Sequence, residues 1–440
     1  MARRITFIHA ADFHLGAPIR GFSNLSAEWS QKLMGAIAAS FENVIETALA
    51  RKVDFVVIAG DMFDSARASY GDYLAFFEGI ERLTQAGIPV YLVAGNHDPY
   101  TVWRRDVPML PEGAQLMGAE ACEFALYERD GEPLCIIGAR GYYSQAWRVG
   151  EPISRGITRS AAVRALRGEK PRAVEAPFSV GVIHTGLEAD QSKAFSDPAE
   201  LLDSDIDYWA CGHVHARRVL PNEFTPRIVF PGCVQARDVK ETGECGCYVV
   251  TMEERPGAWD PRILLEFVPT SSVVFEQLEL DIGDCRTLAD IKHLIISHLF
   301  RKSGEARCED LVAHIALAGE TDLHRYLAQP DVRESLRKRI SDSYPSFYCD
   351  AIVDRTQAVR NRAALEQEGV FAAKVLRVAD EQIAHSSEMV NFVQSEFVKR
   401  GVSIPSSLVR CIDDFEKEAE TLVMDLLERE EADRLEGDAL

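Results

Sequence analysis

Short apolar runs separated by polar segments fill the first 270 residues of the chain. Eight of these runs predict strands, at 4–10, 54–60, 89–95, 133–139, 178–184, 207–213, 227–232 and 246–252. The amphipathic segments 26–51 and 71–86 lie between the first three runs and have the length of helices. Strands that are apolar on both faces and alternate with helices indicate an α/β sheet that is covered on both sides.

The pattern changes after a stretch rich in Pro, Gly and Ser at residues 256–272. Strand-like runs follow at 273–281, 311–318 and 347–353, with helical patterns after Thr287 and at 331–343. From about residue 360 onward the pattern is helical. We therefore expect a large α/β domain at 1–270, a small α/β domain at 271–357 and a helical region with an acidic tail at 358–440.

Composition points to the cytoplasm. The chain has 440 residues, of which 47% are hydrophobic, and no unbroken apolar run approaches the roughly 18 residues of a membrane span. Its N-terminus shows no apolar run of secretory type. The ten cysteines include no CxxC pair, which favours buried free thiols over a disulfide framework. We expect a cytoplasmic protein that does not enter a membrane.

The formal net charge of −21 argues at first against a nucleic-acid partner. Its distribution is uneven, because residues 411–440 carry twelve acidic and three basic side chains, whereas residues 140–172 carry eight basic and two acidic ones. Partner choice follows the local potential rather than the total charge. A basic segment is therefore available for an anionic partner.

Polar side chains follow several of the predicted strands at the point where each strand ends. They are Asp12 and His14, Asp61, Asn96 with His97 and Asp98, His184, and His213 with His215. Open α/β sheets place their functional residues at the carboxyl ends of strands. These side chains are therefore expected to converge at one edge of the fold.

Such a cluster needs cations, because an isolated carboxylate beside an apolar core is costly. Oxygen and nitrogen donors without a thiolate favour Mn, Fe, Zn or Mg. In "DFH" and "HVH" the two donors are one residue apart, so an extended backbone would point both to the same side. The glycines of "AGD", "AGN" and "CGH" permit a close approach. We predict two divalent ions with Asp61 between them, one carboxylate oxygen facing each.

The ordered motifs "DFH", "GDMFD", "GNHD", "IHTG" and "GHVH" resemble those of the calcineurin-like metallophosphoesterase superfamily. Within it, "HAADFHLGAP", "GDMFD", "GNHDP" and "PGCVQARDVKETGECGCYVV" are most similar to the DNA-repair exonuclease branch of the SbcD and YhaO type. The resemblance covers residues 1 to about 270 well. It implies a two-sheet metallophosphoesterase sandwich flanked by helices, with the small α/β domain as a cap over the site.

The resemblance also implies a role for each motif residue. One metal would be held by Asp12, His14, Asp61 and His215, and the other by Asp61, Asn96, His184 and His213. His97 would stabilise or protonate the leaving oxygen, and Asp98 would orient His97. The reaction would be an in-line attack on phosphorus by a hydroxide that both ions activate, with Mn²⁺ as the expected metal.

Two features favour a polynucleotide substrate. The first is the basic segment 140–172, in which aromatic side chains that can stack on bases alternate with arginines that can neutralise phosphates. The candidate contacts are Arg140, Tyr142, Tyr143, Trp147, Arg148 and Arg155. The second is the small downstream domain, by fold analogy alone. A solvated basic surface without a partner is the alternative interpretation of the basic segment.

The C-terminal region carries one apolar helical seam, formed by Leu408, Ile412, Phe415, Ala419, Leu422 and Leu426. The seam packs either against the protein's own domain or against another protein chain. The sequence contains no GxxxxGK[ST] phosphate loop, so any ATP-driven step needs a partner. The resemblance makes a coiled-coil SbcC-like ATPase a candidate partner, and it leaves a homodimer open.

The sequence therefore predicts a metal-dependent DNA exo- or endonuclease that works in DNA repair. One alternative is a phosphodiesterase or phosphatase for small or protein substrates. A second alternative is a binding scaffold that has lost its metals, which the intact ligand set argues against.

Overall fold

A computed structural model describes residues 3–22, 25–103, 109–118, 120–148, 150–187, 194–306, 308–359, 374, 377–378, 395–397 and 399–400. The predicted helical region from 358 and its seam from Leu408 to Leu426 lie almost entirely outside the described residues. The described chain contains mixed α/β structure.

Fifteen strands run through the described residues. They are β1 Arg4–Ala10, β2 Phe55–Ile58, β3 Val90–Val93, β4 Ala114–Met117, β5 Glu123–Arg129, β6 Glu132–Arg140, β7 Phe178–His184, β8 Tyr208–Gly212, β9 Arg218–Leu220, β10 Ile228–Phe230, β11 Gly246–Glu253, β12 Arg262–Pro269, β13 Val273–Asp281, β14 Asp310–Glu320 and β15 Phe347–Gln357.

Seven α-helices accompany the strands. They are α1 Ala27–Arg51, α2 Tyr70–Gln85, α3 Arg159–Leu166, α4 Pro198–Leu202, α5 Leu288–Ala306, α6 His324–Leu327 and α7 Pro330–Ser341. Side-chain caps fix where the first two begin, since Ser26 accepts from the Trp29 amide and Ser69 forms a reciprocal capping box with Asp72.

The strands form two six-stranded sheets and one three-stranded sheet. The first sheet has the order β12-β11-β1-β2-β3-β4, the second β5-β6-β7-β8-β10-β9 and the third β13-β14-β15. In the first sheet β1, β2, β3 and β4 are parallel, and in the second β6, β7, β8 and β10 are parallel. The carboxyl ends of the parallel strands therefore meet at one edge of each sheet.

Alternating side chains of the two large sheets build the core. Phe7 and Val57 of the first sheet join Val180 of the second in one buried cluster. The neighbouring residues Ile8 and Val56 turn to the other face, where they pack under α1 and α2. Both faces of the first sheet are thus buried, which explains why its strands are continuously apolar.

Helix α1 also meets the third sheet. Trp29 and Leu33 of α1 share a buried cluster with Val273, Val312 and Tyr348. By length and composition alone α1 could cross a membrane. Its buried face against strands is the arrangement of a core helix in a folded domain.

The described chain forms two compact units. The first contains residues 1–278, 296–315 and 338–351 and holds both large sheets. The second contains 279–295, 316–337 and the chain from 352 on. Within the second unit Arg286 pairs with Asp322 and Arg355 with Glu279. The predicted boundaries at 270 and 357 stay predictions.

The predicted fold class is confirmed for the described residues. Most differences are shifts of one to three residues at strand ends, since "DFVVIAG" contains only the four-residue strand β2. Strands β4, β5 and β9 and helices α3, α4 and α6 were not predicted, because they are short or partly exposed. The nine cysteines of the described chain are free thiols, seven of them buried.

A matched pair of glycines tests the packing of the second sheet. A Cβ on Gly181 of β7 would lie 2.4 Å from two ring carbons of Trp209, whereas Gly35 on the exposed side of α1 has nothing within 4 Å. We expect Gly181→Ala to destabilise the protein by about 1–3 kcal/mol through overpacking. Gly35→Ala should stabilise it by about 0.5–1 kcal/mol, because alanine favours a helix. Urea unfolding measures both, and equal stability of the two variants would contradict this packing.

Candidate metal centre

The candidate ligands meet where the parallel strands of both large sheets end. The amide of Asp12, two residues past β1, donates to the Gly60 carbonyl after β2 at 3.1 Å. Across the sheets, Nδ1 of His184 at the end of β7 lies 2.8 Å from the Ala59 carbonyl oxygen. These hydrogen bonds therefore join two strand ends of the first sheet to each other and to the second sheet.

The backbone at this edge is left-handed. Asp12, His14 and Asp61 each have φ 53° and His213 has φ 95°, so four of the six non-glycine residues with positive φ in the described chain are candidate ligands. The prediction of an extended backbone is wrong for both "DFH" and "HVH", because β1 ends at Ala10 and β8 at Gly212, and Asp12, His14 and His213 follow with positive φ. Such conformations cost about 1–3 kcal/mol each and persist where surrounding contacts enforce them.

The first group of donors surrounds Nε2 of His14. This nitrogen lies 3.2 Å from Nε2 of His215, 3.6 Å from Oδ2 of Asp61 and 3.9 Å from Oδ1 of Asp12. Asp12 is held in place because both of its carboxylate oxygens accept from the His213 amide, at 3.1 and 3.0 Å. The four side chains are those predicted for one metal.

The second group surrounds Nε2 of His184. This nitrogen lies 3.0 Å from Oδ1 of Asn96 and 3.3 Å from Oδ2 of Asp61, and Nδ1 of His213 lies 3.1 Å from the same Asn96 oxygen. Oδ2 of Asp61 thus faces both groups. Its Oδ1 accepts from the His97 amide at 2.8 Å, so the expected sharing of one oxygen for each metal is not seen.

Hydrogen bonds fix the tautomers of two imidazoles. Because a carbonyl oxygen can only accept, Nδ1 of His184 donates to Ala59, and the Nε2 lone pair then points at two oxygens. Likewise Nδ1 of His215 donates to the Glu241 carboxylate at 2.6 Å, which leaves its Nε2 as a lone pair toward His14. A nitrogen lone pair that faces carboxylate and amide oxygens fits a bound cation, and the groups Asp12–His14–His215 and Asp12–Asp61–His184 are close enough to hold one.

When no metal is bound, the protonated imidazole of His184 supplies positive charge in place of the metal. Burial lowers the pKa of His184, but the charges of Asp61 and Asp12 outweigh it and raise that pKa to about 9. Burial works against ionisation of Asp61, yet His184 and His14 hold the pKa of Asp61 below its usual range. Burial raises the pKa of Asp12 to about 6. The second group is thus an ion pair when no metal is bound.

The two predicted catalytic residues lie at the same edge. The His97 ring meets the His14 ring edge to face, with 4.8 Å between centroids, and its carbonyl accepts from the Ser65 hydroxyl. The prediction that Asp98 orients His97 is corrected by the contacts of Asp98. Its carboxylate accepts from the backbone amides of Gly95, Met62 and Phe63, at 2.8, 2.8 and 3.3 Å. Asp98 therefore joins the turns after β2 and β3.

The motif glycines make room for ligand side chains. A Cβ on Gly60 would lie 2.4 Å from Nδ1 of His184, and one on Gly95 would lie 2.0 Å from Oδ1 of Asp61. The close approach predicted from "AGD" and "AGN" is thus an approach of the backbone to the donors themselves.

Half of the predicted nucleic-acid contacts serve the fold. Tyr142 is fully buried and its hydroxyl accepts from the Ala194 amide, so the prediction of base stacking is wrong for this residue. Arg140 pairs with Glu151 at 2.8 Å and lies over the Trp147 ring, whose Nε1 donates to the Glu151 carbonyl. These side chains hold the segment together.

The other three candidates remain accessible. The Arg148 side chain is 88% exposed, with a distant partner in Glu151 at 3.9 Å. Arg155 is exposed. Tyr143 is 45% exposed and stacks on Tyr100, which follows the "GNHD" motif, at 6.1 Å between ring centroids. Their contact with nucleic acid stays a prediction.

Two residues of the site were missed from the sequence. Glu241 fixes the His215 tautomer from 26 residues away, and Arg237 places Nη2 3.3 Å from Nε2 of His215. Both lie in "QARDVKETG", which resembles the YhaO-like pattern but carries no spacing rule that identifies a ligand. Their roles follow only from the folded loop between β10 and β11.

Comparison with known proteins places the chain among phosphoesterases. Residues 5–217 match the calcineurin-like phosphoesterase family, and residues 275–357 match the middle domain of the metallophosphoesterase YhaO. The uncharacterized metallophosphoesterase YhaO of Bacillus subtilis is 30% identical over 317 residues, which are 71% of this chain and 72% of that one.

One further relative is named for DNA repair and another as a subunit of a nuclease. The DNA double-strand break repair protein Mre11 of Aeropyrum pernix is 30% identical over 63% of this chain and 64% of that one. The SbcD component of the nuclease SbcCD of Bacillus subtilis is 27% identical over 57% of this chain and 66% of that one. The chain thus spans slightly less than two thirds of the length of each.

The ion pair in the second group gives the metal-free protein a distinct pH dependence. Because the folded protein holds the pKa of His184 at about 9, above its ordinary 6.5, the pair stabilises fully below pH 6.5 and loses its effect as the pH rises through 9. After chelation we expect a loss of up to about 3 kcal/mol across this window, at about 1.4 kcal/mol per pKa unit.

Urea unfolding at pH 6.5 and 9 measures this loss, with His184→Gln as the control that removes it. In Mn²⁺-loaded protein the loss should vanish, since a bound cation replaces the proton on Nε2. An identical pH dependence in the wild-type and His184→Gln proteins would contradict the ion pair.

Proposed function

Since the chain belongs to the calcineurin-like metallophosphoesterases and carries the YhaO middle domain, we propose that it is a two-metal DNA exo- or endonuclease of DNA repair. The observation that carries the proposal is Oδ2 of Asp61, which lies 3.6 Å from Nε2 of His14 and 3.3 Å from Nε2 of His184. One carboxylate oxygen that faces an imidazole nitrogen of each donor group is an arrangement that fits a pair of cations.

The chain's own side chains would hold two divalent ions, with Mn²⁺ as the proposed metal. Asp12, His14 and His215 serve the first ion, and Asn96, His184 and His213 the second, with Asp61 shared. When bound, the ions supply Lewis-acid chemistry that activates water and neutralises charge on the phosphoryl oxygens. Glu241 and the Ala59 carbonyl keep the two Nε2 lone pairs directed inward.

His97 is the proposed proton donor to the leaving oxygen. The backbone of His97 is held on both sides, because its amide donates to Oδ1 of Asp61 and its carbonyl accepts from the Ser65 hydroxyl. The ring is half-buried and lies against His14. A positioned imidazole of this kind contributes about 10²–10⁴-fold as a general acid.

DNA as the substrate is supported by the relatives named for double-strand break repair and for the nuclease SbcCD. The exposed Tyr143–Tyr100 pair and Arg148 offer stacking and phosphate contacts beside the "GNHD" turn. By the same analogy we propose an SbcC-like ATPase as partner. The free thiols support the cytoplasm as the compartment.

A phosphodiesterase or phosphatase of small substrates is the second candidate. It is favoured by the pairing of the basic segment, in which Arg140, Arg159 and Arg172 all have carboxylate partners. Among the described residues these three arginines are therefore partly neutralised by their partners, and the formal net charge of the whole chain is −21.

Digestion of end-labelled single- and double-stranded DNA in Mn²⁺ tests the proposal. We expect cleavage by the wild-type protein and none after chelation. His97→Ala should lower the rate by about 10²–10⁴-fold, because the leaving oxygen loses its proton donor. His314→Ala, on β14 of the third sheet, is the matched control and should retain the wild-type rate.

The same proteins are assayed on p-nitrophenyl esters in parallel. Hydrolysis of the esters with intact DNA would favour the small-substrate phosphoesterase. Protein that binds no Mn²⁺ and cleaves neither substrate would leave only the scaffold.

A further inference from the structure

Arg237 brings a positive charge into the metal centre. It lies in the loop between β10 and β11, and its backbone is fixed at both ends. Its amide donates to Oε2 of Glu241 at 2.7 Å, and its carbonyl accepts from the Arg20 amide at 2.8 Å. The Arg237 side chain therefore leaves a rigid loop and reaches Nε2 of His215, 3.3 Å from its Nη2.

The guanidinium has few acceptors. Among the described residues Arg237 forms no ion pair with Asp or Glu, and its side chain makes a single hydrogen bond, to His215. Its Nε is buried and has no hydrogen-bond partner in the structure. A buried donor without a partner costs about 1–3 kcal/mol, more when it is charged. Such a donor at the edge of a candidate active site is available to a ligand that can accept a hydrogen bond.

A metal bound to His215 would remove the single acceptor that the Arg237 side chain has among the described residues. Nδ1 of His215 donates to Glu241, so the acceptor that Arg237 uses is the Nε2 lone pair. A cation that takes this lone pair leaves the guanidinium beside a dication. An anion at this position would both accept hydrogen bonds from the arginine and offset the positive charge of the metals.

We propose that Arg237 binds the substrate phosphate, donating through its guanidinium to non-bridging oxygens of the phosphodiester that the centre holds. The inference rests on the proposed two-metal function and adds the residue that positions the substrate. Arginine suits this role because its planar fork matches two phosphate oxygens and its charge is permanent. Arg237 then contacts the oxygens on which charge accumulates during hydrolysis.

A purely structural role is the competing explanation, in which Arg237 only orients His215. The two roles differ in what a substitution removes. Loss of an orienting residue weakens metal binding, whereas loss of a phosphate ligand weakens anion binding and leaves the metals in place. Metal affinity and phosphate affinity must therefore be measured separately.

The experiment uses the full chain with inorganic phosphate as the probe. Electron paramagnetic resonance of free Mn²⁺ gives the metal affinity, and calorimetric titration of phosphate into the Mn²⁺-loaded protein gives the anion affinity. The variants are Arg237→Gln and Arg237→Lys. Arg218→Gln is the matched control, since Arg218 is an exposed arginine that lines a cavity of about 670 Å³ together with His215.

We expect Arg237→Gln to bind Mn²⁺ within about twofold of the wild type and phosphate about 10- to 100-fold more weakly, the usual effect of losing hydrogen bonds to a charged group. Arg237→Lys keeps the charge but loses the fork, so its phosphate affinity should fall between the two. Arg218→Gln should match the wild type in both measurements.

Two results would overturn the inference while the proposed function stands. One is wild-type phosphate affinity in Mn²⁺-loaded Arg237→Gln. The other is a loss of Mn²⁺ affinity in this variant with unchanged phosphate binding at the loaded centre, which would assign Arg237 to His215 alone. A wild-type protein that binds no Mn²⁺ would instead overturn the two-metal function, and this inference with it.

Discussion

The arrangement of the centre depends on one hydrogen bond, from Nδ1 of His184 to the carbonyl oxygen of Ala59. This bond runs from the second sheet to the first and places the imidazole proton on Nδ1, the outer nitrogen of the ring. In the neutral imidazole the inner nitrogen, Nε2, is then a lone pair that faces oxygens of Asn96 and Asp61. The outer proton of His215 likewise goes to Glu241, which leaves its Nε2 as a lone pair toward His14 and Arg237. The sheets and loops support this convergence of acceptors, which positive charge stabilises.

The backbone around the metal centre is strained and closely packed, and this packing restricts its movement. Four candidate ligands have left-handed backbones, and two glycines touch the donors so closely that a methyl group would overlap them. Strain of this kind is tolerated where a large core holds the flanking strands, as the buried faces of β1, β2 and β7 do here. The stability of the sandwich thus maintains a local geometry that is unfavourable by itself.

The sequence was sufficient to predict the fold class and the candidate ligands, but it predicted little of the local geometry around them. Continuous apolar runs identified β1, β2, β3, β7 and β8, and the polar residues after them identified Asp61 and its neighbours. The pattern could not show that "DFH" forms a turn, because period two is also compatible with an extended chain. Nor could it show that Asp98 binds backbone amides, that Tyr142 is buried, or that Glu241 and Arg237 return to the site, since these contacts exist only after folding.

The buried carboxylate of Asp98 has a mechanical consequence. It holds amides from the turn that presents Asp61 and from the turn that presents Asn96, residues that belong to different strands. Neither turn can shift without breaking a hydrogen bond to the shared Asp98 side chain, so the two halves of the centre move as one part. A disturbance that begins near one ion would reach the other through the main chain, even though no ligand side chain need be altered.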